Sequence, residues 1–181
     1  MEKEIILILG GARSGKSAYA ERLALESGHE VLYIATATAG DEEMRRRIAA
    51  HQAARPAHWR TVEAPMHVAH YFGENVPVDG LILLDCVTLL ANNVLFALSE
   101  SVTEAEFQAA LIQEVSEIIA TFQASPARTL VLVSNEVGLG VVPEYELGRL
   151  YRDALGRANQ QLAKEATTVW FMLAGLPLRL K

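Results

Sequence analysis

Ile5-Ile6-Leu7-Ile8-Leu9-Gly10-Gly11-Ala12-Arg13-Ser14-Gly15-Lys16-Ser17 is the stretch that decides the fold of this chain. Its opening apolar run, without alternation, reads as a strand buried on both faces. The residues from Gly10 to Ser17 fit the P-loop pattern G-x-x-x-x-G-K-S/T without a mismatch. That pattern needs a strand before it and a helix after it, and a helix is predicted here over 16–27. Glycines let backbone N–H groups converge on phosphate oxygens where side chains would obstruct them. Lys16 is a mobile cation able to reach β- and γ-phosphates, and the Ser17 hydroxyl is a ligand for Mg²⁺. The positive end of the helix dipole adds to the cradle. Gly10, Gly11, Ala12, Arg13, Ser14, Gly15, Lys16 and Ser17 are therefore candidate contacts to a nucleoside triphosphate.

Working outward, short β-rich runs alternate with helical patterns along the whole chain. Strands are expected at 4–9, 31–35, 80–85, 128–134 and 168–174, with a shorter one near 59–63. Helices are expected at 16–27, 41–54, 65–73, 87–98, 103–123 and 144–165. Thr103-Glu104-Ala105-Glu106 resembles a capping box, and Ser125-Pro126 closes the helix that begins there. Pro143-Glu144 marks the start of the last helix. The fold class that follows is α/β and P-loop NTPase-like: a mostly parallel central sheet with helices on both faces, ligands collecting at the carboxyl ends of its strands.

The 181 residues fit one domain, and a composition 51% hydrophobic suits a compact enzyme. Sixteen basic against 22 acidic side chains give a net charge of −6, which argues against nucleic acid as a partner. The single Cys86 excludes an internal disulfide. No apolar run approaches the length of a membrane span, so no membrane insertion and a cytoplasmic location are expected.

Two further positions carry chemistry. Asp85 ends an apolar run where a P-loop enzyme places a carboxylate for Mg²⁺, although it could instead cap the following helix, as could Thr88. On the predicted helix 41–54, Arg47, His51 and Arg55 fall on one stripe at four-residue spacing. Two guanidiniums there would keep the imidazole neutral and nucleophilic and would grip a phosphoryl oxygen beside it. Spacing alone leaves open that His51 is an ordinary surface histidine. Asn135-Glu136, at the end of an apolar run, is either a ligand-orienting pair or a simple turn. His67 and His70 could share a metal or merely lie on a surface.

The ordered blocks make a more specific statement. After the P-loop come Leu32-Tyr33-Ile34-Ala35-Thr36, Asp41-Glu42-Glu43-Met44, Arg47-Ile48-x-x-His51 and Arg55-Pro56-x-x-Trp59-x-Thr61-x-Glu63. Leu84-Asp85-Cys86-Val87-Thr88, Ser134 to Pro143, and Arg152-Asp153-x-x-Gly156-Arg157-x-Asn159-Gln160 complete the series. The series resembles the bifunctional adenosylcobinamide kinase/adenosylcobinamide-phosphate guanylyltransferase family of cobalamin biosynthesis, over nearly the whole chain. The resemblance implies one kinase/guanylyltransferase domain over 1–181 that phosphorylates adenosylcobinamide with a nucleoside triphosphate, ATP or GTP. It implies next a transfer of GMP from GTP to adenosylcobinamide phosphate through a guanylyl-histidine at His51, with release of pyrophosphate. It implies nucleotide contacts at the P-loop, at Ala35, Thr36 and Ala37, at Gln52, Ala53, Ala54 and Arg55, and at Glu63 and Asp85. Ala53 and Ala54 stand where some relatives carry polar residues, so contacts there fall to the backbone. A homotrimer is implied as well.

Overall fold

The computed structural model describes residues 3–40, 42–72, 76–99 and 101–181, and of Glu43, Met44, Arg47 and Ala54 only the backbone. In chain order the elements are β1 (Glu4–Gly10), α1 (Lys16–Glu26), β2 (Val31–Ala35), α2 (Glu42–Ala54), β3 (Arg60–Glu63) and a 3₁₀ turn at Val68–Tyr71. There follow β4 (Leu81–Asp85), α3 (Val87–Ala97), α4 (Glu104–Ala124), β5 (Thr129–Val133), α5 (Glu146–Glu165), β6 (Thr168–Leu173) and β7 (Leu176–Arg179).

The strands form one sheet in the order β3-β2-β4-β5-β1-β6-β7. Every pairing is parallel except the last, β6 with β7. The non-alternating runs behave as strands covered on both sides must: every residue of β2 and β5 is buried. Successive side chains alternate faces. Leu7, Ile34, Ile82 and Leu132 pack with Phe107, Leu111 and Phe122 of α4 and Leu155 of α5, while α3 adds Leu90 and Val94. Ile8, Tyr33, Leu83 and Val131 face the other way, onto Tyr19, Ala20 and Ala24 of α1 and onto Trp59. Helices therefore lie on both faces, and the P-loop strand β1 sits between β5 and β6.

The capping box is present: Glu106 N–H donates to Thr103 Oγ1, and Thr103 N–H donates back to Glu106 Oε2. Ser125 is extended and ends α4. Three expectations are corrected. The segment predicted as a helix over 65–73 holds only the short 3₁₀ turn, because His67 adopts a left-handed φ of 51°. Asp41 and Gly73, the outer bounds of two predicted helices, lie outside the described residues. The last helix starts at Glu146, since Tyr145 is still extended. The final strand does not run to 174 but turns back at Ala174 (φ 51°) and Gly175 (φ 82°) into β7. Positive φ at both central residues is the signature of a two-residue hairpin whose twist matches its strands.

That hairpin tip meets the P-loop. Gly175 N–H donates to the Ser14 carbonyl at 3.0 Å. Gly10 needs its missing side chain for the same reason: φ is +150°, and a Cβ would lie 2.5 Å from the Met172 carbonyl oxygen on β6. Gly10→Ala should cost about 1–3 kcal/mol from backbone strain and overpacking. Urea unfolding checks this as a lowered midpoint at unchanged slope.

Candidate active site

At the carboxyl ends of the strands lies a cleft of ≈ 390 Å³. Strand order brings the P-loop after β1, Ala35 and Ala37 at and beyond the end of β2, Glu63 from β3, Asp85 from β4 and Asn135 after β5 onto its walls. A second recess of ≈ 440 Å³ opens over Arg13 to Ala18. His51 lines both. The helix that carries it is largely exposed: among the described side chains of α2 only Ile48 is even half-buried.

The P-loop starts α1 with Gly15 at its N-cap in a left-handed conformation (φ 95°). Lys16 is 8% exposed, and its ammonium donates to the Gly11 carbonyl at 2.5 Å and to Ser14 Oγ at 3.5 Å. Burial pulls its pKa below the usual lysine value, and negative charge at neighbouring Asp85 works in the opposite direction. The ammonium is thus held by neutral oxygens, which a phosphate can replace with a stronger, charge-assisted partner. The Cys86 thiol, pushed up to about 12 chiefly by burial, stays neutral and plays no nucleophilic part.

Asp85 Oδ2 accepts a hydrogen bond from the Tyr33 hydroxyl at 3.0 Å. Burial, then the Asp85 carboxylate, push the Tyr33 phenol far above its ordinary value, so it acts only as a donor. The Arg55 guanidinium lies 3.5 Å from the Tyr33 ring centre, and its buried Nε has no hydrogen-bond partner among the described residues. Gln52 Nε2 donates to Glu63 Oε1 at 3.2 Å. His51 Nδ1 lies 3.9 Å from Glu21 Oε1, a carboxylate on α1.

Most of the residues expected at the site are brought together. Ala12, Arg13, Lys16, Ser17, Ala35, Ala37, His51, Gln52, Arg55, Glu63 and Asp85 line the cleft, and Ser14 and Gly15 line the recess. Gly10 and Gly11 shape the loop from behind these walls. Thr36 departs from expectation: it is fully buried, donating to the Cys86 carbonyl at 2.7 Å and accepting from the Cys86 N–H at 2.8 Å. It holds the cleft floor rather than lining it. Ala53 is exposed and lines neither cavity, and the side chain of Ala54 lies outside the described residues. So does that of Arg47, which leaves that half of the arginine stripe outside the described side chains; Arg55 shares the cleft wall with His51 but turns onto Tyr33, and the acid Glu21 lies beside the imidazole.

The capping alternative for Asp85 is not what the structure has. The N-cap of α3 is Cys86, without a side-chain cap bond, and Thr88 Oγ1 accepts from the Asn135 N–H instead. The Asn135-Glu136 pair divides. Asn135 lines the cleft, whereas Glu136 accepts from the Gly138 N–H and shapes its own loop. His67 is engaged by the buried Glu114 at 2.9 Å, and among the described residues no three His, Cys, Asp or Glu side chains group as a metal cage. Ser17 and Asp85 supply a hydroxyl and a carboxylate to the same cleft, a hard-oxygen pair suited to Mg²⁺ that also binds phosphates.

Residues 6–180 match the family described as cobinamide kinase / cobinamide phosphate guanyltransferase. The chain belongs to that family. It is 49% identical over 175 residues to the bifunctional adenosylcobalamin biosynthesis protein CobP of Pseudomonas aeruginosa, covering 97% of this chain and 96% of that one. The corresponding CobU proteins of Salmonella typhimurium and Escherichia coli are each 44% identical over 182 residues, covering 98% of this chain and 99% of theirs. Membership makes the chain a bifunctional enzyme, a cobinamide kinase and a cobinamide phosphate guanylyltransferase. It also gives the nucleotide-shaped cleft a role, since both family activities draw on nucleoside triphosphates.

Tyr33 and Ile48 line the cleft although the motif blocks that contain them gave them no role, and Glu21, beside His51, lies in none of those blocks. Tyr33 sits in an all-apolar strand and looks like core. Glu21 had a legible signal: it lies four residues after Ser17, one turn along the same face of α1. In this kinase/guanylyltransferase, Tyr33→Phe should lower stability by about 0.5–1.5 kcal/mol through the lost bond to Asp85. Denaturant melts of the variant read that directly.

Proposed function

We propose that this chain phosphorylates the aminopropanol hydroxyl of adenosylcobinamide with ATP or GTP, then guanylylates adenosylcobinamide phosphate through a histidine-bound GMP on His51, as one catalytic unit over 1–181. The observation that carries it is that His51 borders both the cleft at the strand ends and the P-loop recess. An imidazole on an exposed outer helix thus faces the phosphate cradle.

In the first reaction the P-loop amides and Lys16 hold the triphosphate, and the cobinamide hydroxyl takes the γ-phosphoryl group in line with the departing nucleoside diphosphate. In the second, an imidazole nitrogen of His51 attacks the α-phosphorus of GTP. The bond to the bridging oxygen breaks and pyrophosphate leaves with the electron pair. A phosphate oxygen of adenosylcobinamide phosphate then displaces the imidazole, giving adenosylcobinamide-GDP. Lys16 and Arg55 face the charge that develops on phosphorus oxygens. Ser17 and Asp85 would hold Mg²⁺, which supplies charge neutralisation on the phosphates when bound. Ala35, Ala37, Gln52 and Glu63 form the remaining wall for the nucleotide.

We also place the enzyme in the cytoplasm as a homotrimer. Leu139, Val141, Val142 and Tyr145 support an assembly, being at least 62% exposed along one stretch. Among the described residues no helix is long and apolar enough to cross a membrane. Incubation with GTP labelled at the α-phosphate tests the reading. The protein should take up an acid-labile, alkali-stable label on the His51 peptide, and γ-labelled GTP should leave none there. A wild-type protein that stays unlabelled is a simple kinase, and the proposal fails.

A further inference from the structure

We infer that Glu21 is the positioning residue of the guanylyl-transfer step: it fixes the tautomer and orientation of His51 so that Nε2, not Nδ1, receives the GMP. The inference rests on the proposed histidine chemistry and goes beyond it in naming the attacking atom and its orienting group.

The geometry is specific. Glu21 projects from α1 one turn beyond Ser17, under the imidazole carried by α2. Among the described residues its buried Oε1 has no hydrogen bond within normal distance, an arrangement that costs free energy unless the facing imidazole uses the atom. The imidazole atom it faces is Nδ1, at 3.9 Å. That is about 0.4 Å beyond a hydrogen bond, a gap that a small rotation of the imidazole closes. Catalytic contacts are commonly long before substrate is bound. Burial pushes the Glu21 carboxyl up, and its neighbours His51 and Arg55 pull it back down.

The chemistry follows from which nitrogen carries the proton. With Nδ1–H donated to Glu21, the lone pair of the neutral ring lies on Nε2. Nε2 forms the bond to the α-phosphorus as the bond to pyrophosphate breaks, and the ring becomes an N-phosphorylated imidazolium that keeps its proton on Nδ1. The Glu21 carboxylate balances that charge. In the second half the phosphorus–nitrogen bond breaks, the electron pair returns to Nε2, and the neutral ring is restored without any proton leaving Nδ1. Without the carboxylate the neutral ring favours the proton on Nε2, so the lone pair lies mostly on the wrong nitrogen and nothing holds the ring in the attacking orientation.

The test uses protein carrying ¹⁵N-histidine, reacted with GTP in the presence of pyrophosphatase. Phosphorus–nitrogen coupling should assign the GMP to Nε2 of His51. In Glu21→Gln the single-turnover rate of labelling should fall about tenfold to a hundredfold more than the rate of cobinamide phosphorylation. Comparing the two rates in one preparation separates positioning from a general loss of fold, which would lower both together. GMP on Nδ1, or equal losses in both rates, overturns the inference while leaving the guanylyl-histidine intact. A wild-type protein with no label overturns the histidine chemistry itself, and this inference falls with it.

Discussion

His51→Ala should abolish guanylyl transfer, lowering its turnover by on the order of 10⁴-fold or more, because the nucleophile of a covalent route has no substitute. The cobinamide kinase rate should fall far less, since the γ-phosphoryl group is delivered from the P-loop to a hydroxyl and needs no imidazole. The two outcomes separate within one assay, by following phosphorylated cobinamide and its guanylylated product together. Equal loss of both would mean that His51 holds α2 over the site rather than reacting. The exposure of that helix argues against a structural part: His51 is half exposed at its side chain, and its neighbours Ala49, Ala50 and Ala53 are exposed as well. The substitution should therefore leave the unfolding midpoint within about 0.5 kcal/mol of the parent.

Lys16→Met carries the second large effect, and it strikes both reactions. Among the described residues this ammonium is the one lysine cation on the cleft wall, and in the proposed reactions it meets the charge that builds on the transferring phosphorus. Removing a preorganised donor of that kind costs about 10²–10³-fold, or roughly 2.7–4 kcal/mol of barrier. Stability should move the other way. Burial disfavours the charged ammonium in the folded chain and not in the unfolded one. A methionine of similar shape removes that penalty, so the denaturation midpoint should not fall. Rates of both half-reactions and a urea melt on one sample check the two halves of the statement.

What the sequence made legible was local. The P-loop, the non-alternating strands and the capping box at Thr103 each announce themselves within a few residues, and the structure has them where those residues stand. The features that stayed hidden depend on distant partners. His67 breaks the expected helix at 65–73 where Glu114 of α4 accepts from both its backbone N–H and its Nδ1, a contact 47 residues away. Tyr33 is indistinguishable from core until Asp85 is seen beneath its hydroxyl. Arg55 follows the end of α2, so helical spacing could not show that it would leave the stripe and turn onto Tyr33. Glu21 acquires meaning only once α2 is laid over α1. The β6–β7 hairpin was missed because Leu173-Ala174-Gly175-Leu176 offers a turn signal of one glycine, weaker than the Asn-Gly pairs that advertise such turns.

The placement of β1 has a consequence for biosynthesis. That strand is made before every other described strand, yet among the described residues its neighbours in the sheet are β5, against which Glu4 faces Thr129, and β6, against which Gly10 faces Met172. On a translating ribosome the run Ile5–Leu9 waits on the order of ten seconds before either partner exists. For that interval it is a naked hydrophobic edge, a natural ligand for nascent-chain chaperones. Triphosphate affinity should accordingly arise late and all at once, when the chain has grown past the residues that clamp its opening segment.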